Sequence, residues 1–516
     1  MPISPAGALN TTALTVPNLY VQIVPPQPAL NGVPTNIIGV VGGAAWGPLN
    51  TPTPFGSYAE FETVYGPLQN ATYDMGTQVA IAQQQGAGAF VGVRVSDGTD
   101  AKATIAQTTD ITYTALYSGT VGNSISVILS QGGSSSSSWN VTVALAGGLT
   151  EIFKNITGTG NQFWLNVASA INTGQGPLRG PSQLITATAG AGTTAPAAGT
   201  VTLTGGTNGT SGLTTADLVG TSATPRTGMY ALEKQNASIG LLADATDSTQ
   251  WSVMQGFNQA QGIYGCVPIA AGTAITAAVT EVQGAGASGY GLKIMQGDWV
   301  YWYDQVNKVT RLVSPAAFAA GKLAALDPSQ SSLNKQLFGV IGTQTSGIAN
   351  SNQQATYSDA DLSVLFEAGI DVITNPAPGG YYWAVRGGIN SSLNDAENGD
   401  NYTRLTNYIA ATLNAGMGIF VGDKITPTMD QSATSTIRSF LSNLQQQGLI
   451  GDPVSPPSYT VTGGLGTGTP NPQSRTSLGY YQINVAVTYS PINRFFIVNM
   501  QGGQTVVTSQ STASPA

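Results

Sequence analysis

The N-terminal region opens with an alternation of apolar and polar positions that is typical of a β-strand. Residues 17–24 alternate in this way, so that every second side chain falls on one apolar face. Leu19, Val21 and Ile23 form this face, and together with Tyr20 they are the predicted inter-subunit contact residues of the strand. A proline-rich stretch, residues 25–34, follows and predicts a stiff, extended linker. We therefore predict an N-terminal linking arm over residues 1–34.

Two longer apolar runs predict buried strands. They lie at residues 37–41 and 89–95, with helical periodicity between them. A strand–helix–strand order indicates an α/β layer. The same texture returns after residue 220, so we predict one α/β core assembled from residues 35–97 and 221–357.

The intervening residues have a different pattern. Short alternating segments are separated by Ser/Gly turns such as residues 132–138, and one helix is predicted near residues 162–172. We predict an inserted, β-rich outer domain over residues 98–220.

The last third of the chain predicts an α+β domain over residues 358–490. Helices are expected near residues 401–414 and 429–447. Two alternating runs, residues 481–489 and 494–500, predict a closing hairpin. The second run opens a C-terminal linking strand, residues 491–516, whose apolar residues are Phe495, Phe496, Ile497 and Val498. The fold class is therefore multidomain, α/β and α+β, with an extended arm at each end.

Charged and reactive side chains are scarce, and this excludes several classes of function. The 516 residues include 17 Lys+Arg, 25 Asp+Glu, no His and one Cys. Without histidine there is no Ser-His-Asp triad and no His-ligated zinc, and a single cysteine excludes an intramolecular disulfide. The net charge of −8 opposes nonspecific binding to nucleic acid. Every apolar run is broken too early for a spanning helix, and no basic residue precedes an apolar core as in a secretory signal.

The charges are also unevenly distributed. None precedes Glu60, none lies between Arg179 and Asp217, and none follows Arg494. Charges are a usual protection against unwanted strand pairing. The absence of charged residues at both ends of the sequence therefore indicates segments that pair with another chain.

The remaining motifs favour structural interpretations. Residues 284–289 spell a dinucleotide-binding pattern, but they follow a predicted helix instead of a strand, which favours a connecting loop. Asp395, Glu397 and Asp400 precede a predicted helix, where acids favour the helix dipole. Cys266 and the aromatic run at residues 299–303 are best explained by packing. We expect no catalytic residue, no cofactor and no metal site.

Several segments, taken in order, resemble the contractile bacteriophage tail sheath family. VPNLYVQIV resembles the family's strand-forming opening, and VVGGAAWGPLNTP followed by SYAEFETVYG resembles its strand–turn and following helix. YSGTVGN is similar to a family turn, and AGKLA to a family helix. The C-terminal similarity lies in residues 401–409 and 480–500.

The resemblance implies a structural role and no enzymatic activity. Subunits of this family polymerise as stacked six-fold rings around a tail tube and contract to drive the tube through the host envelope. The implied partners are further copies of the chain, the tail tube protein, and the baseplate and tail terminator proteins, without nucleic acid or stable membrane insertion. The implied location is the virion tail, assembled in the host cytoplasm. The implied tube-proximal residues are Arg404, Lys424 and Arg438.

The alternative is another self-assembling surface protein, such as an S-layer or adhesin subunit. The acidic composition, rich in Ser, Thr, Asn and Gly, suits that class as well. Such a protein is expected to carry a secretion signal and tandem β domains, and we identify neither in this sequence.

Overall fold

The structure is a computed structural model that describes residues 3–4, 21–22, 30–135, 137–348, 356–375, 377–451, 457–498 and 500. The strands, in chain order, are β1 (Ile3–Ser4), β2 (Val21–Gln22), β3 (Ile38–Gly42), β4 (Thr53–Phe55), β5 (Phe90–Arg94), β6 (Lys102–Gln107), β7 (Ile111–Ser118), β8 (Ile125–Gln131), β9 (Trp139–Leu145), β10 (Thr150–Ile156), β11 (Ile185–Ala189), β12 (Gly199–Thr202), β13 (Ile239–Leu242), β14 (Tyr264–Pro268), β15 (Leu292–Met295), β16 (Val300–Asp304), β17 (Val309–Val313), β18 (Gly342–Thr343), β19 (Ile370–Asp371), β20 (Ile373–Thr374), β21 (Ala384–Val385), β22 (Tyr459–Thr462) and β23 (Asn484–Val487). The α-helices are α1 (Tyr58–Tyr65), α2 (Met75–Gln84), α3 (Asn161–Thr173), α4 (Thr215–Val219), α5 (Trp251–Gln261), α6 (Ile275–Ala285), α7 (Pro315–Ala325), α8 (Asp359–Glu367), α9 (Asp400–Gly416), α10 (Pro427–Gln446) and α11 (Gln473–Thr476).

A seven-stranded sheet forms the α/β core. Its order is β19-β15-β14-β13-β3-β5-β4, and every neighbouring pair is parallel except β4 with β5. One face is covered by α1, α2 and α7, and the other by α5, α6 and α8. Because both faces are covered, β3, β5 and β14 are buried along their whole length. The mixed α/β multidomain architecture predicted from the sequence is confirmed.

Three helices of the core begin at a serine whose side chain accepts a hydrogen bond from a free N–H group of the first turn. The Ser57 hydroxyl accepts a hydrogen bond from the Glu60 N–H at the start of α1. Ser358 and Asp361 form a reciprocal capping box at α8. At α7 the cap is Ser314, and Pro315 occupies the first turn, where its missing N–H costs nothing.

The chain between β5 and β13 forms a separate β-rich unit. Strands β6 to β12 build two antiparallel sheets, of order β10-β9-β8-β12 and β11-β7-β6. With α3 they enclose their own apolar core, which includes Tyr113, Phe153 and Trp164. The end of the predicted insertion differs from the structure, because Leu218 and Val219 of α4 are buried in the core domain.

Two elements that follow the predicted boundary at residue 358 belong to the core sheet and its helical cover. Helix α8 packs on the core, where Leu362 and Leu365 are buried, and β19 completes one edge of the core sheet. The physical reason is that β19 is short and apolar, and its parallel pairing with β15 at Ile294↔Ile370 buries it fully. The C-terminal unit therefore begins with α9.

The C-terminal unit contains α9, α10 and a two-stranded sheet. Strands β22 and β23 pair antiparallel, with Val461 opposite Val485, and pack with α10 around Ile437 and Phe440. The predicted hairpin between residues 481–489 and 494–500 is therefore wrong: β23 takes β22 as its partner. Residues 494–498 belong to no strand.

Candidate functional site

The C-terminal segment exposes four consecutive apolar side chains. Phe495, Phe496, Ile497 and Val498 are 84%, 83%, 79% and 72% exposed. A contiguous apolar surface of this kind marks a site of contact with another molecule. The predicted N-terminal arm residues Leu19, Tyr20 and Ile23 lie outside the described residues, and Val21 lies in β2, whose backbone pairs in parallel with β1.

The β22–β23 sheet offers an open edge close to this segment in sequence. The N–H of Thr488 donates to the Ser458 carbonyl at 2.8 Å, which continues the register of the two strands. Hydrogen-bonded and non-bonded pairs alternate along an antiparallel ladder. The backbone of Val485 and Val487 therefore faces away from β22, and no other strand among the described residues pairs with β23.

The other edge of this sheet is occupied by a side chain. An Arg438 Nη donates to the carbonyl of Val461 at 3.0 Å, as expected for a residue whose backbone faces away from β23. An isolated two-stranded sheet is marginally stable, so a further strand on the free edge would stabilise it.

The three tube-proximal candidates have different environments. Lys424 and Arg438 are exposed. Arg404 is buried, and its guanidinium donates to the carbonyls of Leu326 and Asp327 at 2.9 and 2.8 Å. Burial lowers the pKa of Arg404 to about 10. The structure thus assigns Arg404 to the junction between α9 and the core, because its donors satisfy the carbonyls at the end of α7.

A buried charge cluster completes the junction. Lys293 Nζ lies 2.6 Å from Asp371 Oδ2 and 3.0 Å from Asp400 Oδ1, and all three side chains are fully buried. Asp400 also accepts hydrogen bonds from the Tyr264 hydroxyl at 2.7 Å and from the Ser332 N–H. Asp371 accepts hydrogen bonds from the N–H groups of Val372 and Gly387. The cluster ties β15, β19 and the first turn of α9 together.

The charges of the cluster hold each other ionised. Burial alone would lower the pKa of Lys293, but the Asp371 and Asp400 carboxylates outweigh burial and raise it. Burial would likewise raise the pKa of Asp400, but Lys293 and the surrounding hydrogen bonds hold it below its ordinary value. We expected Asp400 to favour the helix dipole; the structure places it in the first turn of α9, where its ion pair with Lys293 also anchors the helix.

Two further buried acids are Asp74, which lies beside the end of β3, and Asp244, which follows β13. Asp74 caps α2 by accepting from the Thr77 N–H at 2.7 Å, and Asp244 accepts from the Tyr73 N–H and the Gln78 amide. Burial raises the pKa of Asp74 from 3.8 to about 7 and that of Asp244 to about 6. Both groups therefore titrate near neutral pH.

This titration predicts that the subunit is more stable at pH 5 than at pH 8. The folded pKa of Asp74 lies above its unfolded value, so its contribution is fully present below pH 4 and is lost as pH rises through 7. The pKa shift of Asp74 corresponds to a decrease of roughly 2–3 kcal/mol in the free energy of unfolding from pH 5 to pH 8. Urea titrations at both pH values should show this difference, and Asp74→Asn, which keeps the capping oxygen, should remove most of it.

The matched control for this prediction is Asp361→Asn. Hydrogen bonds from Ser358 hold the pKa of Asp361 below its ordinary value, so it stays ionised between pH 5 and pH 8. Its variant should keep the wild-type pH dependence. A wild-type stability that rises from pH 5 to pH 8 would contradict the prediction.

The remaining sequence motifs occupy structural positions. Residues 284–289 span the last two residues of α6 and the first part of the loop to β15, in agreement with the predicted helix-to-strand connection. Cys266 is buried in β14, where burial raises the pKa of its thiol to about 12. The described residues contain no group of three or more His, Cys, Asp or Glu side chains placed to hold a metal ion. None of the helices described is long and apolar enough to cross a membrane.

Comparisons with known proteins identify the fold. No protein-family model matches the sequence, and no curated protein matches it. Among solved structures, the sheath tail protein Lin1278 from Listeria innocua is 17% identical, with a TM-score of 0.59 over 84% of this chain and 89% of that chain. The helical sheath of the anti-feeding prophage in its contracted state is 12% identical, with a TM-score of 0.56 over 95% of this chain and 99% of that chain. A chain of the six-fold symmetrised anti-feeding prophage baseplate is 12% identical, with a TM-score of 0.51 over 95% and 100% of the two chains.

The chain therefore has the fold of tail sheath proteins. The agreement extends over nearly the whole length of these neighbours, and the resemblance predicted from the sequence motifs is confirmed at the level of the fold.

Proposed function

We propose that this protein is the structural subunit of a contractile tail sheath and has no enzymatic activity. The observation that carries the proposal is the match over 95% of the chain to a sheath in its contracted state. The exposed apolar segment and the open sheet edge give this fold the surfaces that polymerisation needs.

Subunits are joined by strand addition. The N-terminal strand with Leu19, Val21 and Ile23, and the C-terminal segment with Phe495 to Val498, extend to neighbouring copies and add to the free edge of β23. Main-chain hydrogen bonds supply affinity in such contacts, and alternate side chains fill pockets. Because the donor and acceptor surfaces differ, the contact is head-to-tail and can build stacked rings and a helical tube.

The assembled particle is a phage-type contractile tail. Six-fold rings surround a tail tube, which Lys424 and Arg438 face, and the ends of the sheath meet baseplate and terminator proteins. Contraction is a rigid-body rearrangement between two packings that drives the tube through the host envelope, with the energy stored at assembly. Assembly in a bacterial cytoplasm accords with the single, unpaired Cys266.

Electron microscopy of the purified protein tests this function. The wild type should form tubes of stacked rings, and a variant lacking residues 1–24 should remain a folded monomer or ring because it has lost one linking strand. Dispersed wild-type protein under all assembly conditions would contradict the sheath function. Normal tubes from the deletion variant would contradict strand addition by the N-terminal arm.

A further inference from the structure

A groove of about 750 Å³ lies beside the C-terminal segment and contains only basic charges. It is lined by the loop at residues 330–335, by Arg386 after β21, and by residues 492–497. Its charged residues are Lys335, Arg386 and Arg494, and none of the described residues that line it is Asp or Glu. The chain has only 17 Lys and Arg in 516 residues, so three at one groove is a marked concentration.

The basic side chains of the groove form no ion pair with an acidic side chain of the described residues. Among the described residues, neither Lys335 nor Arg386 forms an ion pair, and Arg494 donates to the neutral Asn398 amide oxygen at 2.8 Å. Lys322 adds to the same field: burial lowers its pKa, and the nearby charge of Lys335 lowers it further.

The opposite charge is found on one helical layer of the core. Helices α5, α6 and α8 cover one face of the sheet and contain no Lys or Arg. Glu281 on α6 and Asp359 and Glu367 on α8 are acidic positions of this layer, and α6 packs against α8. Val364, 46% exposed on α8, gives the same face an apolar contact point. We call this surface the acidic face.

We propose that the basic groove of one copy binds the acidic face of a second copy. The inference rests on the proposed sheath function and names a contact between the bodies of two subunits, separate from the exchange of strands. The occupant follows from charge complementarity, because among the described residues the basic side chains of Lys335 and Arg386 and the acidic side chains of the face form no ion pair, and Val364 gives the face an exposed apolar contact point. Since groove and face do not overlap, the contact is head-to-tail and repeats from copy to copy.

Charge-reversed variants test this contact. The groove variant combines Lys335→Glu with Arg386→Glu, and the face variant combines Glu281→Lys with Glu367→Lys. Lysine is a good helix former at position 281 inside α6, and at position 367 it favours the dipole at the C-terminal end of α8. Each variant alone should require at least tenfold more protein than the wild type to associate in analytical ultracentrifugation. An equimolar mixture should regain association, because each reversed groove meets a reversed face of the other copy.

The controls separate this contact from folding and from the sheath function. Lys154→Glu, at an exposed position of the inserted domain, should associate like the wild type. Thermal unfolding like that of the wild type excludes misfolding of the reversed variants. If each variant alone associates at the same concentration as the wild type, the contact is overturned. It is also overturned if the folded variants stay dispersed when mixed. Duplex DNA is the probe for a different ligand, and its binding to the groove without association between copies would overturn the contact as well. If the mixture regains association but the wild-type protein forms no tubes under any assembly condition, the contact stands and the sheath function is overturned.

Discussion

Val485→Pro is expected to abolish tube formation while the subunit still folds. The backbone of Val485 lies on the edge of β23 that faces away from β22, so proline removes no hydrogen bond of the existing ladder. It does remove the donor that an incoming strand would use, and its ring obstructs the approach of that strand. One lost hydrogen bond is worth about 1 kcal/mol, but the loss recurs at every subunit contact along a tube.

The matched control is Val485→Thr, which keeps the amide donor and a β-branched side chain. Electron microscopy should show tubes for this variant and dispersed particles for Val485→Pro, with similar circular dichroism spectra. Normal tubes from a folded Val485→Pro variant would show that the free edge of β23 is not an acceptor of strands.

The apolar patterns predicted the parts of the fold in which burial is continuous. Strands β3 and β5 lie within the two predicted apolar runs, and they are buried because helices cover both faces of the sheet. Hydrophobic runs of this kind can be recognised without knowing their neighbours. The same reasoning separated the inserted strands, whose alternation indicates a sheet with one buried face.

Pairing partners could not be predicted in the same way. Alternation predicted a strand over residues 481–489, and β23 lies within it, but alternation does not identify which segment pairs with it. The sequentially adjacent run at residues 494–500 was the simplest choice, and the structure pairs β23 with β22 instead. The partner is set by packing on α10, which no local pattern records.

The buried ion pairs of the junction were missed, because Lys293 and Asp371 were not considered and Asp400 was assigned to the helix dipole together with Asp395 and Glu397. Lys293 lies between Leu292 and Ile294, and Asp371 lies between Ile370 and Val372, so each is a charge inside an apolar strand. A charge in such a position must be paired to remain buried. An apolar strand with a Lys and another with an Asp were therefore a usable signal of an ion pair, although the predicted boundary at residue 358 placed the two strands in different domains. The third member, Asp400, required the tertiary structure.

Removal of the central cation is expected to destabilise the subunit strongly. Lys293→Met preserves much of the side-chain volume but leaves Asp371 and Asp400 buried without their cation. Breaking a buried ion pair in this way costs about 3–5 kcal/mol, because the remaining charge is desolvated and uncompensated. Urea unfolding followed by tryptophan fluorescence should show the corresponding shift in the transition of the core.

Two further variants define the origin of that loss. Asp400→Asn should cost less than Lys293→Met, because Lys293 keeps Asp371 as a partner at 2.6 Å. Lys154→Met, at an exposed position of the inserted domain, should change the unfolding free energy by no more than about 0.5 kcal/mol. Equal unfolding midpoints for Lys293→Met and the wild type would show that the cluster does not anchor α9. If it does, the core and the first helix of the C-terminal unit behave as one body, and under the proposed function the loops and arms around them would absorb the rearrangement on contraction.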